Sequence, residues 1–434
     1  MSKAEPIIGQ NGVAIETYDY DGSGYRSYEI YQRERVGQST EKINGAQLAS
    51  AEFAANPYPL LTILRENYPC YRDWINNCYW ITRYDDVTSI FADDANFETR
   101  TKRWFYGLTD FGNDLGQTLP VQWAWANSMD KHAAAVAETL IADFGDRGAA
   151  DLALEFAARY PLLMLGKQLQ LPDADLDQFA LLYWQAQNGV SWRGQAQVEG
   201  KAALQKLVDY FTPLMTQAHG DDSLIGAVVE AGGNARDLVA TLLEADHETL
   251  HGALANLWML LLTHPEALDS VKRDRLALKI AYLESLRHSP AVITAKRFAK
   301  QEVERFGRLI PKGGLMRLSA LAANRDPRLF NDADTFVANR RDICHREARG
   351  QYRADGLPTA ITFGLGQPSK HPAIPEDRPR SRYAVTRDTV VTASQTLMAA
   401  LPSLRLQPGF EPTLKSLRIG DLYTCWNLPI QFDR

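Results

Sequence analysis

The chain of 434 residues has only four cysteines, Cys70, Cys78, Cys344 and Cys425, with no CxxC or other clustered spacing, which excludes a zinc ribbon and a disulfide framework. Long apolar runs are also missing. The longest, Leu254 to Leu262, is interrupted by Asn256 and falls far short of the roughly 20 residues that cross a bilayer. The opening MSKAEPIIGQ lacks the apolar core of a secretory signal. Positive charge is in deficit, 47 Lys and Arg against 53 Asp and Glu for a net charge of -6, which argues against a nucleic-acid-binding surface. The expectation is a cytoplasmic globular protein with no membrane and no nucleic-acid partner.

Residues 1–45 are rich in Gly, Tyr, Ser and charge without a sustained helical period, and read as an N-terminal arm. The globular part, 46–434, is organised around Asn234 to Thr263, whose pattern predicts one central helix roughly 45 Å long. Its flanks are leucine-rich, yet its middle carries Glu244, Asp246, His247, Glu248, Thr249 and His251. Burying these groups without partners costs several kcal/mol each, so something must satisfy them. His247 to His251 spell HExxH, the zinc-protease pattern, and Glu244 with His247 makes the ExxH of di-iron carboxylate proteins. On a continuous helix Glu244, His247, Glu248 and His251 fall within about 100° of one another, while Asp246 points elsewhere. The residues therefore allow a metal site of Glu244, Asp246, His247, Glu248 and His251, with a mixed carboxylate and imidazole set leaning to iron. A hydrogen-bonded, ion-paired helix without metal is the alternative. Additional ligand candidates are His132, Asp342 with His345, and His371 or Glu376.

Several phrases carry a resemblance. NPYPLLTILRENYPCYRD and YWITRYDDVTSIFADDANFET are followed by GDRGAADLALEFAARYPLLMLGKQLQLP, then ADHETLHGALANLWMLLLTHPEAL, an ExxR at Glu284 to Arg287, and the hairpin running into AANRDP. From about residue 50 to 434 the chain resembles bacterial cytochrome P450 proteins, most specifically between Leu242 and Arg340. The resemblance implies a mainly α fold with small β-sheets, the cytochrome P450-like fold. It also implies Glu248 and Thr249 as the acid and alcohol that deliver protons, and Glu284 with Arg287 as a buried ion pair. Arg297 matches a haem-propionate arginine, and Arg340 matches the last arginine of FxPxR, with Ala338 at the proline.

The haem-holding positions depart from that family. The HxxxR pair reads His132 and Val136, and FGxGxHxCxG reads FGLGQPSKHP, with Pro368 at the histidine, Lys370 at the cysteine and Pro372 at the last glycine. A register about ten residues longer puts Arg380 at the cysteine. Asp246 replaces a glycine that lets the helix approach the porphyrin. Thiolate-ligated haem is therefore not expected. One expectation is an oxidoreductase acting on a small-molecule substrate through non-haem iron or another transition metal at the central helix. Its catalytic groups would be Glu248 and Thr249, with Arg297 and His371 binding the cofactor and a redox partner or partner enzyme beside it. The other is a haem-free, non-catalytic partner of a biosynthetic enzyme such as a glycosyltransferase.

Overall fold

The computed structural model describes residues 7–8, 14–15, 43–68, 70–191, 194–217, 223–245, 247–345, 357–361, 379–416 and 422–433, with the backbone alone at 7–8, 14–15, 191 and 248. Contacts divide the chain into two compact units, Met1–Thr99 with Ile280–Lys370 and Thr413–Leu417, and Arg100–Lys279 with His371–Pro412 and Arg418–Arg434.

The first unit is built on a five-stranded mixed sheet ordered Cys70–Asp73, Cys78–Ile81, Leu315–Ser319, Thr294–Ala299, Phe97–Glu98. Only the Cys78–Ile81 and Leu315–Ser319 pair is parallel. The buried carboxylate of Asp73 closes the first hairpin, accepting the Ile75 and Asn76 amides at 3.0 Å and the Trp80 indole N–H at 3.2 Å. This is a local side-chain turn that competes well with strand extension.

Glu284 and Arg287 stand on the Arg275–His288 helix, both wholly buried, and join through two hydrogen bonds of 2.7 Å. The remaining guanidinium hydrogens go to the carbonyls of Asn324, Ala333 and Thr335. Glu284 also accepts the Val337 amide at 3.0 Å, and Arg340 Nε lies 3.0 Å from its Oε2. The pair thus pins four loop carbonyl and amide groups to one helix, the structural role the ExxR spacing implies.

In the second unit Leu119–Ala142 packs against Tyr160–Gln168 and Arg382–Ala400, and a small sheet joins Arg405–Leu406, Pro429–Gln431 and Ala149–Asp151. A core of Phe179, Leu204, Phe211, Leu238, Leu242 and their neighbours fills the space between the surrounding helices. No helix among the described residues is long and apolar enough to cross a membrane.

The single helix expected over Asn234 to Thr263 is in fact two. Ala235–Glu244 ends at Ala245, whose backbone is extended (φ -75, ψ 132), and His247–Thr263 begins afresh. The physical reason lies on a neighbouring helix, Leu176–Ser191. Gln187 donates Nε2 to the Leu242 and Leu243 carbonyls at 3.4 and 3.1 Å, and Tyr183 Oη donates to the Ala245 carbonyl at 3.4 Å. These carbonyls, orphaned when a helix stops, are the groups that make stopping costly. Beyond the break, His251 to Leu262 is buried without interruption, as expected of a helix apolar nearly all round.

Candidate functional site

The break separates the polar residues that the sequence groups together. Glu244 sits at the last position before it, and its carboxylate caps another helix, Lys102–Tyr106. Oε2 accepts the Lys102 amide at 2.8 Å, while Oε1 accepts the Arg103 amide at 3.1 Å and Arg103 Nε at 3.2 Å. A carboxylate on the first amides of a helix is favourable through both hydrogen bonding and the helix dipole. Lys102 Nζ then bonds Gln187 Oε1 at 2.8 Å, so the amide that ends the first helix segment is itself oriented by the capped one.

His247 places Nδ1 at 2.8 Å from Tyr183 Oη, with the rings edge to face. His251, one turn further along, is 1% exposed and meets the edge of the Trp426 ring at 5.1 Å. Neither of its ring nitrogens has a hydrogen-bond partner among the described residues. Burial pushes its pKa down to about 4, so the imidazole is neutral at ordinary pH. Asn256 holds Trp426 in reach by binding the strand before it: Nδ2 donates to the Tyr423 carbonyl at 3.0 Å and Oδ1 accepts the Cys425 amide at 3.1 Å. Thr249 is half-buried. Asp246 and the Glu248 side chain lie outside the described residues.

The outlying candidates do not join this cluster among the described residues. His132 is half-buried, its pKa lowered by burial and by Lys131 and Lys167, and the paired position Val136 is core. Asp342 is ion-paired to Arg340 at 3.0 Å and accepts the Asn331 amide at 2.9 Å. His371 and Glu376 lie outside the described residues. No three His, Cys, Asp or Glu groups converge as metal ligands among the described residues. The residues that sequence reasoning missed are Tyr183, Gln187, Lys102 and Arg103. They stand about 60 to 140 positions from their partners and carry no motif, so nothing local could have found them.

In the first unit Arg297, on the Thr294–Ala299 strand, lies over the Phe91 ring at 4.7 Å and donates to the Lys296 carbonyl at 3.0 Å. Burial lowers its pKa to about 10, with Asp94 acting in the opposite direction, and it makes no ion pair among the described residues. All four cysteines are buried, and burial pushes the thiols up to about 12 at Cys70 and about 11 at Cys78 and Cys425. Each of those three is a protonated thiol at physiological pH.

No family model matches the chain. Among curated proteins it is 27% identical over 335 residues to cyclomarin C epoxidase CymV of Salinispora arenicola, covering 70% of this chain and 82% of that one. It is 26% identical over 403 residues to the vitamin D(3) 25-hydroxylase of Pseudonocardia autotrophica, covering 83% and 96%. It is 29% identical over 360 residues to a putative cytochrome P450 133B2 of Xylella fastidiosa, covering 74% and 88%. Among solved structures, CalO2 superposes with a TM-score of 0.70 at 22% identity, covering 91% of this chain and 99% of its own. P450BioI in complex with an acyl carrier protein gives 0.70 at 21%, covering 89% and 100%.

These relatives overturn the cofactor expectation, in which thiolate-ligated haem is absent and non-haem iron or another transition metal replaces it: they are haem proteins and point to haem. The geometry agrees in one respect, since Glu244 and His247 already have protein partners in place of a metal ion. Haem fits this chain unevenly. Arg297, a half-buried cation without an ion pair among the described residues, suits a propionate. Residues 345–424 contain no cysteine, and Cys70, Cys78, Cys344 and Cys425 are buried. The nitrogen donors Lys370 and His371 are what the family's ligand segment offers.

Proposed function

Because the chain belongs to the cytochrome P450 superfamily, we propose that it is an oxidoreductase of that fold in bacterial secondary metabolism, acting on a small organic substrate, with haem held by Arg297 at a propionate and by His371 at the iron. The observation that carries this reading is Arg297, a partly desolvated cation aimed at no carboxylate among the described residues, at the position where the family holds a propionate. Haem, when bound, supplies the redox chemistry of dioxygen. The chain's own residues do the rest. Arg297 would neutralise a propionate of the bound haem. Glu248 and Thr249, adjacent on the helix that starts at His247, hold and pass a proton toward the reacting oxygen, and Tyr183 fixes the ring of His247 beside them. A neutral His371 is a competent iron ligand, though a weaker electron donor than a thiolate. Electrons come from a redox partner.

A second reading, a haem-free partner of another biosynthetic enzyme, draws support from Lys370 at the cysteine position and Val136 at the propionate arginine. One experiment separates the two. Wild type, Arg297→Leu and His371→Ala are purified from cells supplied with haem, haem is quantified, and the reduced carbon-monoxide spectrum is recorded. Stoichiometric haem with a nitrogen-ligated spectrum, lost in His371→Ala and depleted in Arg297→Leu, supports the proposal. A thiolate-type band overturns the His371 assignment. Protein without haem overturns the oxidoreductase and leaves the partner.

A further inference from the structure

In the second unit the stretch from Lys102 to Leu115 lies along the helix Ala235–Glu244 and is held there by side chains of that helix. Asp237, Thr241 and Glu244 follow one another at spacings of four and three, which sets them on one helix face. Asp237 Oδ1 accepts the Asn113 backbone amide at 2.7 Å and its side-chain amide at 3.2 Å, and Thr241 Oγ1 accepts the Leu115 amide at 2.9 Å. Glu244 accepts the Lys102 and Arg103 amides at the other end, while Arg103 ties the two ends together by donating both to Glu244 and to the Gly112 carbonyl. At Gly112 the segment presses on the helix backbone: a side-chain carbon there would lie 2.5 Å from the Arg236 carbonyl oxygen. Leu108, Phe111 and Leu115 pack on the core that holds Leu238 and Leu242.

None of these bonds belongs to the helix's backbone ladder, so the segment can lift while the helix stays formed, its freed amides turning to water. Lifting, however, takes away Lys102, whose Nζ lies 2.8 Å from Oε1 of the buried Gln187. The Nε2 of that amide is what meets the Leu242 and Leu243 carbonyls where the helix stops. Lys102 is the donor that orients the Gln187 amide, and its departure weakens the hold on those carbonyls. An uninterrupted helix satisfies the Leu243 carbonyl with the His247 amide instead, and LLEADHET has the propensity to form one. We propose that segment and helix break are one two-state latch. Seated, the segment keeps Gln187 on the carbonyls and the helix broken; lifted, it lets Ala235–Glu244 and His247–Thr263 join through Ala245. Joining re-aims Thr249, so a ligand that lifts the segment also moves a residue of the proposed proton path. The latch itself does not rest on that reading.

The test is amide-resolved hydrogen exchange of the full chain, read at Lys102, Arg103, Asn113 and Leu115. Thr241→Val removes one acceptor at nearly constant shape and should speed exchange about fivefold at all four amides, the effect of one lost hydrogen bond. Its reach to Lys102 and Arg103, which are bonded to Glu244 and not to Thr241, separates a latch from a row of independent contacts. Ala245→Gly disfavours the joined helix and should slow all four by about fivefold, although glycine ordinarily loosens a chain. Gly112→Ala sets a methyl group against the Arg236 carbonyl; it should release all four amides and shift the carbon-13 resonance of Ala245 from extended toward helical values. Faster exchange confined to Asn113 and Leu115 in Thr241→Val, or unchanged or faster exchange in Ala245→Gly, would overturn the proposal. So would Gly112→Ala with its amides still protected, or with an extended Ala245 beside a released segment. None of these readouts depends on haem.

Discussion

His251 gives the structure a test that depends on pH. Its imidazole is buried against Trp426 with no described partner, and burial holds its pKa at about 4 in place of the ordinary 6.5. A histidine whose folded pKa is depressed binds its proton more readily in the unfolded chain. Stability is therefore intact above about pH 6.5, falls as pH drops through that value, and stops falling near pH 4, where the folded form is protonated too. The full loss is about 3 kcal/mol, at 1.36 kcal/mol for each pKa unit. At about pH 5, some 1.5 units below the unfolded value, the loss is roughly 2 kcal/mol, a large share of the 5 to 15 kcal/mol by which domains are stable. Because other groups titrate in this range, the readout is the difference between wild type and His251→Leu. Urea unfolding is followed at neutral pH and at about pH 5. At neutral pH the variant should match the wild type within about 1 kcal/mol or exceed it, since it removes an unsatisfied polar group at nearly constant volume. At about pH 5 it should retain roughly 2 kcal/mol that the wild type loses. Equal acid losses in the two proteins would show that the imidazole is paired or solvated, and the burial argument would fail.

Other outcomes follow from the same contacts. Arg287→Ala leaves Glu284 with Arg340 and the Val337 amide and strips the guanidinium donors from the buried Asn324 and Ala333 carbonyls, so urea unfolding should report a loss of about 3 to 5 kcal/mol, with Arg287→Lys losing less; a change under about 1 kcal/mol would contradict the buried pair. Glu244→Gln removes the charge that caps Lys102–Tyr106 and should cost about 1 to 2 kcal/mol, with faster hydrogen exchange at the Lys102 and Arg103 amides; unchanged exchange would refute the cap. Cys70, Cys78 and Cys425 should resist a thiol reagent in native protein at mildly alkaline pH and react once it is unfolded, as counted by mass spectrometry; stoichiometric native labelling of any of them would contradict its burial and raised pKa.

The fold was legible in the sequence wherever a motif is its own structural device. Glu284 and Arg287 stand one turn apart on a helix, and the sequence spacing alone brings the carboxylate to the guanidinium. The break after Glu244 was not legible, because LLEADHET has helical propensity throughout and the groups that stop the helix, Gln187 and Tyr183, come from a helix some 60 residues earlier. The metal reading inherited that error. It took Glu244 to belong to the same continuous helix face as His247 and His251, and treated the charges on that face as one problem requiring one cation.

The structure resolves those groups separately. The Glu244 carboxylate accepts two amide hydrogens and the Arg103 guanidinium. His247 meets a phenol hydroxyl at hydrogen-bond distance. His251 avoids the cost of burying a cation by remaining neutral, the usual response of an imidazole to desolvation. An HExxH in an apolar helix therefore does not by itself require a metal, since local partners and a shifted protonation state compensate the same desolvation cost. Arg297, in the other unit, makes no ion pair among the described residues, and the proposed function assigns it a haem propionate.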